Sequence, residues 1–179
     1  MRSSMPIFLA VFLTFTPPTF AANFFSYVCL PQEGQDYTDA IHITGDGVFE
    51  GDVGQPYKQC GSESEFNCFE WYYLTIAIPR TGIEPGSKWN YGDIAFEYTT
   101  ATVFAPIGEW IPVAVIEARY RKLVTVFYFS GVRGVVAYKT LLQDAPILST
   151  ICLLHGQKGI GAGWTDDKAL GLENLKKPD

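Results

Sequence analysis

The sequence predicts an all-β protein, a single small antiparallel β-sandwich or β-barrel domain stapled by disulfides. Three observations favour this class. Aromatic residues make up 15% of the 179 residues, and aromatic side chains are enriched in strands. Several segments alternate apolar and polar residues with a period of two. Four cysteines, an even number, follow a segment typical of secretion signals, which is the pattern of disulfide-bonded exported domains.

The first segment has the three parts of a secretory signal. Arg2 supplies the positive start, residues 7–13 form an apolar run, and residues 19–21 place small side chains at the two positions that signal peptidase reads. The apolar run is shorter than the ~20 residues that a membrane span needs. We therefore predict cleavage after Ala21, a periplasmic or secreted protein, and no transmembrane segment after cleavage.

The organisation predicted from these features has three parts. Residues 1–21 form the signal peptide, residues 22–163 form a single β-rich domain, and residues 164–179 form a polar flexible tail. The glycine-rich stretch 156–163 lacks the ending of a phosphate-binding loop and follows a strand without a βαβ frame. It is predicted to be a flexible exit loop.

Within the domain, strand character is uneven. Residues 32–67 are rich in Gly, Asp, Glu and Ser and predict loops with one weak hairpin around Ile41 and Ile43. Segment 113–121 fits both strand and helical spacing, and the strand is favoured because the next segment is apolar on both faces. The segments predicted as strands are 24–30, 72–78, 94–98, 113–121, 123–129, 135–138 and 147–154.

The four cysteines predict two disulfides. They allow three connectivities, and local loop closure favours Cys60 with Cys68, which leaves Cys29 with Cys152. An alternative is a zinc site made by the last three of these cysteines together with His155. That alternative lacks the short C-x₂-C spacing typical of zinc knuckles.

Other catalytic and ligand chemistry has little support in the sequence. His42 and His155 are the only histidines, and no nucleophile elbow is present. Asp46 and Asp52 lie in fragments of a calcium-loop pattern, but the register of an EF-hand is missing. No cofactor and no metal are predicted. A hydrolase using two carboxylates stays open as an alternative, since none of the 19 acidic residues is singled out.

The distribution of charge is the least ordinary feature. Nine acidic residues against one lysine give residues 31–70 a net charge of −8, whereas 11 basic and 10 acidic residues give residues 71–179 a net charge of +1. A pI near 4.9 excludes a general nucleic-acid binder. A one-signed field speeds association with an oppositely charged partner. The residues predicted to bind such a partner are Glu33, Asp36, Asp39, Asp46, Asp52, Glu63 and Glu65.

These features predict an exported, non-enzymatic binding protein of the inhibitory or immunity type that docks a basic protein partner through an acidic face. The comparison with inhibitors and immunity proteins rests on class and charge alone. Three alternatives stay open. The acidic segment could be only a solvated loop region, the protein could be a small carbohydrate-active hydrolase, or it could be a structural or accessory envelope protein.

Overall fold

Pairing between strands organises the whole molecule. The computed structural model describes residues 24–30, 39–72, 74–105, 108–143 and 145–175, with residues 145–149 described by their backbone alone. Every helix or strand assigned in these ranges is a strand, which confirms the all-β prediction. No helix in the described ranges could cross a membrane. The predicted signal peptide and the cleavage after Ala21 lie outside the described residues.

The described residues contain thirteen strands, which form two antiparallel sheets. In chain order they are β1 (Phe25–Leu30), β2 (Asp39–Thr44), β3 (Gly47–Glu50), β4 (Val53–Gln55), β5 (Lys58–Gln59), β6 (Phe66–Trp71), β7 (Leu74–Pro79), β8 (Lys88–Tyr91), β9 (Ile94–Phe104), β10 (Ile111–Tyr120), β11 (Leu123–Ser130), β12 (Gly134–Leu142) and β13 (Ala145–Leu154). The large sheet has ten strands in the order β4-β3-β2-β1-β13-β12-β11-β10-β9-β8, and the small sheet has the order β5-β6-β7.

The chain enters the large sheet in its interior and leaves it at one edge. Strands β1 to β4 build outward by hairpins, and the chain then crosses into the small sheet. It returns at the opposite edge as β8 and meanders back until β13 pairs with β1. Three register shifts interrupt the meander, in the β9–β10, β11–β12 and β12–β13 pairs. Such bulges add local twist to a wide sheet.

The small sheet packs on the part of the large sheet that contains β8. The Trp89 indole of β8 donates a hydrogen bond to the Ala77 carbonyl of β7 at 2.8 Å. The rings of Phe66 in β6 and Tyr91 in β8 meet edge to face at 5.4 Å. Apolar side chains of both sheets join one core. Its largest fully buried members are Tyr27, Phe69, Ile76, Ile78, Phe96, Tyr98, Phe127 and Phe129.

Several predicted strands have different limits in the structure. The prediction of one strand over 72–78 was wrong at its start, because Trp71 pairs with Leu74 and Tyr72 lies in the turn between the two strands. The side chain of Tyr72 is 87% exposed instead of sharing the buried face. Strands β4 and β5 lie in the region predicted as loops, and segment 113–121 is a strand as predicted.

The end of the chain differs from the flexible loop and tail that the sequence suggested. Ile160, Leu170 and Leu172 are buried in the core. The buried hydroxyl of Tyr27 donates to the Val135 carbonyl at 2.8 Å and accepts from the Ile160 amide at 2.9 Å. The segment from 156 to 175 is therefore packed against the large sheet through buried leucines and shared hydrogen bonds, which its polar composition concealed.

Candidate functional site

The described acidic residues of the predicted docking face are all exposed. Strands β2, β3 and β4 form one edge of the large sheet, and residues 39–57 carry four carboxylates without a lysine or arginine. These carboxylates are those of Asp39, Asp46, Glu50 and Asp52, and we call this three-strand region the acidic edge. No ion pair in the described part of the chain involves them. Glu33 and Asp36 lie outside the described residues.

The acidic edge has two charged ends. Glu50 pairs with Val53 across a turn that contains Asp52, and Asp39 lies on β2 close to this same end. Asp46 lies in the turn between β2 and β3, at the other end, where its amide donates to the Thr44 hydroxyl at 3.1 Å. At about 3.3 Å per residue, the four-residue strand β3 separates the two ends by roughly 13 Å.

Glu63 and Glu65 belong to a different surface. They lie in the loop between β5 and β6 of the small sheet. The Arg80 guanidinium donates to the Gly61 carbonyl of this loop at 3.2 Å, and the Arg80 amide donates to the Glu65 carbonyl at 2.9 Å. The loop therefore has a cation in contact with its backbone, and the acidic edge does not. The structure divides the predicted partner-binding residues between two sheets.

Both predicted disulfides are present, and the described cysteines leave no free thiol. Cys29 and Cys152 lie directly opposite each other in the β1–β13 pair, and Cys60 is bonded to Cys68. This pairing uses every cysteine of the zinc alternative. Among the described residues no three metal-ligating side chains converge. Disulfides of this kind are typical of oxidising compartments.

A polar cluster joins the small sheet to β8 beside the Cys60–Cys68 disulfide. The Tyr91 hydroxyl donates to Glu70 at 2.5 Å, and the Lys58 ammonium contacts the same carboxylate at 3.0 Å. The hydrogen bond to Glu70, together with burial, raises the pKa of Tyr91 to about 12. Burial alone would raise the pKa of Glu70, but the hydrogen bonds from Tyr91 and Lys58 outweigh it and lower that pKa. The cluster holds the two sheets together.

A serine and a histidine meet on the opposite side of the fold. Ser26 of β1 pairs with His42 of β2, and their Oγ and Nδ1 atoms are 3.0 Å apart. Phe24 stacks on the imidazole at 5.8 Å. Among the described residues no carboxylate contacts this histidine, and Ser26 is only 6% exposed. A nucleophile needs access and an oriented base, so this pair lacks two requirements of hydrolysis.

One pair of carboxylates bears on the hydrolase alternative. Glu97 of β9 and Glu117 of β10 are direct cross-strand partners. Each already has a cation, since Lys88 contacts Glu97 at 3.2 Å and Arg119 contacts Glu117. This alternation of charges stabilises a sheet surface. Both carboxylates therefore have a counter-ion.

A pocket of about 480 Å³ opens between the small sheet and β9, β10 and β11. It lies where the β6–β7, β8–β9 and β10–β11 turns approach one another. Its lining is mostly aliphatic and aromatic, with two threonines. The residues are Tyr72, Thr75, Ile94, Ala118, Tyr120, Leu123 and Thr125. No local motif marks this site in the sequence, because these residues are spread over four strands and one turn.

Comparisons of the chain with family models, with curated proteins and with solved structures gave no match.

Proposed function

We propose that the protein is an exported binding protein whose acidic edge docks an extended basic segment of a protein partner. The proposal rests on two features that occur together at the acidic edge. The β4 strand is an outer strand of the large sheet, so one side of its backbone has no paired strand among the described residues. The surrounding residues 39–57 contribute four exposed carboxylates and no cation.

Each feature supplies a different part of recognition. An open strand edge offers backbone hydrogen bonds to a partner strand, which is the principle of β-strand addition. A one-signed field attracts an oppositely charged chain and repels a like-charged one. Val53, which is 63% exposed, adds an apolar contact at the end of the edge that carries Glu50 and Asp52. An exported site, periplasmic or secreted, is part of this proposal and accords with the two disulfides.

A peptide of alternating lysine and threonine tests the proposal, with the lysine-acetylated peptide as a probe of identical backbone and no charge. We expect the cationic peptide to bind more tightly at low than at high ionic strength, and the acetylated peptide to bind at least tenfold more weakly. The double substitution Asp46→Lys and Asp52→Lys should abolish the salt-dependent binding.

The matched control is Glu63→Lys with Glu65→Lys, which changes the net charge equally on the other surface. We expect this variant to keep most of the peptide affinity. Equal losses in both variants would mean that only net charge matters, and binding that survives the edge substitutions would reject the acidic edge. Self-association of the edge variant without loss of peptide binding would show that the acids only protect an open strand.

A further inference from the structure

Beyond the acidic edge, the structure contains a second and chemically different concavity. We infer that the pocket between the β6–β7 and β10–β11 turns binds a small amphiphilic anion, with an acyl or ring body inside the pocket and a carboxylate or similar head at Arg121. This inference is independent of the proposed docking function, because it uses none of the residues of the acidic edge.

The first observation is the pocket itself. Its volume of about 480 Å³ lies in the range typical of small-molecule sites. Ile94, Ala118 and Leu123 line it from three strands of the large sheet, and Thr75 lines it from the small sheet. Walls of this composition favour an apolar body, because each apolar group transferred from water into the pocket contributes to binding.

The second observation is a polar side chain in the pocket wall. Thr125 is only 4% exposed, and its side chain lines the pocket. A threonine hydroxyl both donates and accepts hydrogen bonds. It can therefore bond to a ligand oxygen that enters the pocket. Thr75 offers a second hydroxyl on the facing wall.

The third observation concerns the backbone at the two turns. Among the described residues, Tyr72 and Arg121 are the non-glycine residues with positive φ, at 39° and 54°. Tyr72 is the first residue of the β6–β7 turn, and Arg121 is the first residue of the β10–β11 turn. Two-residue hairpin turns of this conformation favour Asn and Gly. Strained non-glycine residues concentrate at functional sites, and both of these residues flank one pocket.

The charge at the mouth indicates the head group. The Arg121 guanidinium lies over the Tyr120 ring at 5.0 Å, which orients it beside a residue that lines the pocket. Arginine binds carboxylates through two parallel hydrogen bonds. Asp93, in the turn before Ile94, and Glu117, which precedes Ala118 and contacts Arg119, are the acidic residues adjacent in sequence to the lining. The experiment therefore has to test the charge of the head group separately from the contribution of the apolar body.

Three ligands with one common chain make that separation. Decanoate and decyltrimethylammonium below their micellar concentrations, and decan-1-ol below its solubility limit, are titrated calorimetrically into the oxidised protein. We expect decanoate to bind about tenfold more tightly than the alcohol and the cation to bind most weakly, since one charge-assisted hydrogen bond accounts for about a tenfold change in affinity. Equal binding of all three would reject the anion site, and no binding of any would reject the pocket.

Four variants locate the binding. Arg121→Asn suits the turn and should reduce the affinity for decanoate about tenfold without changing that for the alcohol. The matched control is Arg119→Asn, which removes the same charge from the exposed neighbour that contacts Glu117. It should change the affinity less than about twofold. Thr125→Val keeps the side-chain shape and should weaken decanoate and the alcohol but not the cation, which has no hydrogen-bonding group. Ala118→Leu should fill the pocket and prevent binding, with thermal unfolding reporting whether the fold survives.

Discussion

The two ends of β11 use the left-handed backbone conformation in opposite ways. At the end that meets β12, positive φ belongs to glycines such as Gly134, against which backbone atoms pack, and Gly161, against which aromatic side chains pack. At the end that meets β10, Arg121 has positive φ, as Tyr72 does on the facing turn. One end excludes side chains, and the other places large ones in a strained conformation. Packing thus requires glycine at the first end, whereas the second end keeps large side chains despite the strain of positive φ.

The largest expected effect concerns the two disulfides. The double substitution Cys29→Ala and Cys152→Ala removes a link between residues 123 apart, whereas Cys60→Ala with Cys68→Ala removes one between residues 8 apart. Loop entropy predicts losses of about 5 and about 2.5 kcal/mol in the free energy of unfolding. Urea unfolding of both variants measures the difference. The opposite order would show that native packing and not loop length dominates.

The packed end should not tolerate a single methyl group. A Cβ added at Gly134 would lie 2.2 Å from the Ile160 carbonyl oxygen and 2.5 Å from the Ala162 amide nitrogen. We expect Gly134→Ala to cost about 4 kcal/mol, since both backbone strain and collision have to be relieved. Gly92→Ala is the matched control at the pocket end, because Gly92 also has positive φ but has open space around it. It should cost about 1–2 kcal/mol. Equal losses on thermal unfolding would contradict the role of packing.

The Tyr91–Glu70 hydrogen bond should give stability a particular dependence on alkaline pH. The pKa of Tyr91 is raised from 10.0 to about 12. The stability linked to this shift is therefore fully present below pH 10 and is lost as the pH rises through 12. Because the cluster is partly exposed, we expect about 1 kcal/mol. The difference in unfolding free energy between wild type and Tyr91→Phe, measured from pH 8 to 12, should shrink above pH 10. A constant difference would reject the linkage.

The smallest effect tests the strained end directly. Tyr72→Asn and Arg121→Asn replace residues that are unfavourable at positive φ with one that tolerates it. We expect each to raise the free energy of unfolding by about 0.5 kcal/mol. Chemical unfolding of each variant gives the value. A loss of stability would mean that these side chains contribute to packing, which would remove the strain argument for the pocket.

Sequence patterns predicted the elements whose information is local. Alternation around Ile116 and the apolar run at Phe127 predicted β10 and β11, and the even number of cysteines predicted both disulfides. The turn at Tyr72 escaped prediction because it contains no glycine, proline or asparagine, so only the pairing of Trp71 with Leu74 reveals it.

Long-range contacts account for the remaining differences. Leu170 is buried in the core, and the Tyr98 hydroxyl of β9 holds its backbone in place by donating a hydrogen bond to its carbonyl at 2.8 Å. The sequence around Leu170 does not contain that information. The acidic segment was visible as charge, but its division between the acidic edge and the Glu63–Glu65 loop depends on which strands pair. The pocket could not be predicted from the sequence for the same reason, because strand pairing alone brings its residues together.

The pairing of β1 with β13 has a consequence for the order of events during synthesis. Cys29 precedes both Cys60 and Cys68 in the chain, while its native partner Cys152 is the last cysteine to be made. Contacts of such high sequence separation form late, because the intervening chain has to be ordered first. Until then Cys29 can meet only the two cysteines that belong to each other. Correct oxidation therefore requires either that Cys29 stays reduced until β13 arrives or that thiol–disulfide exchange removes an early mismatch.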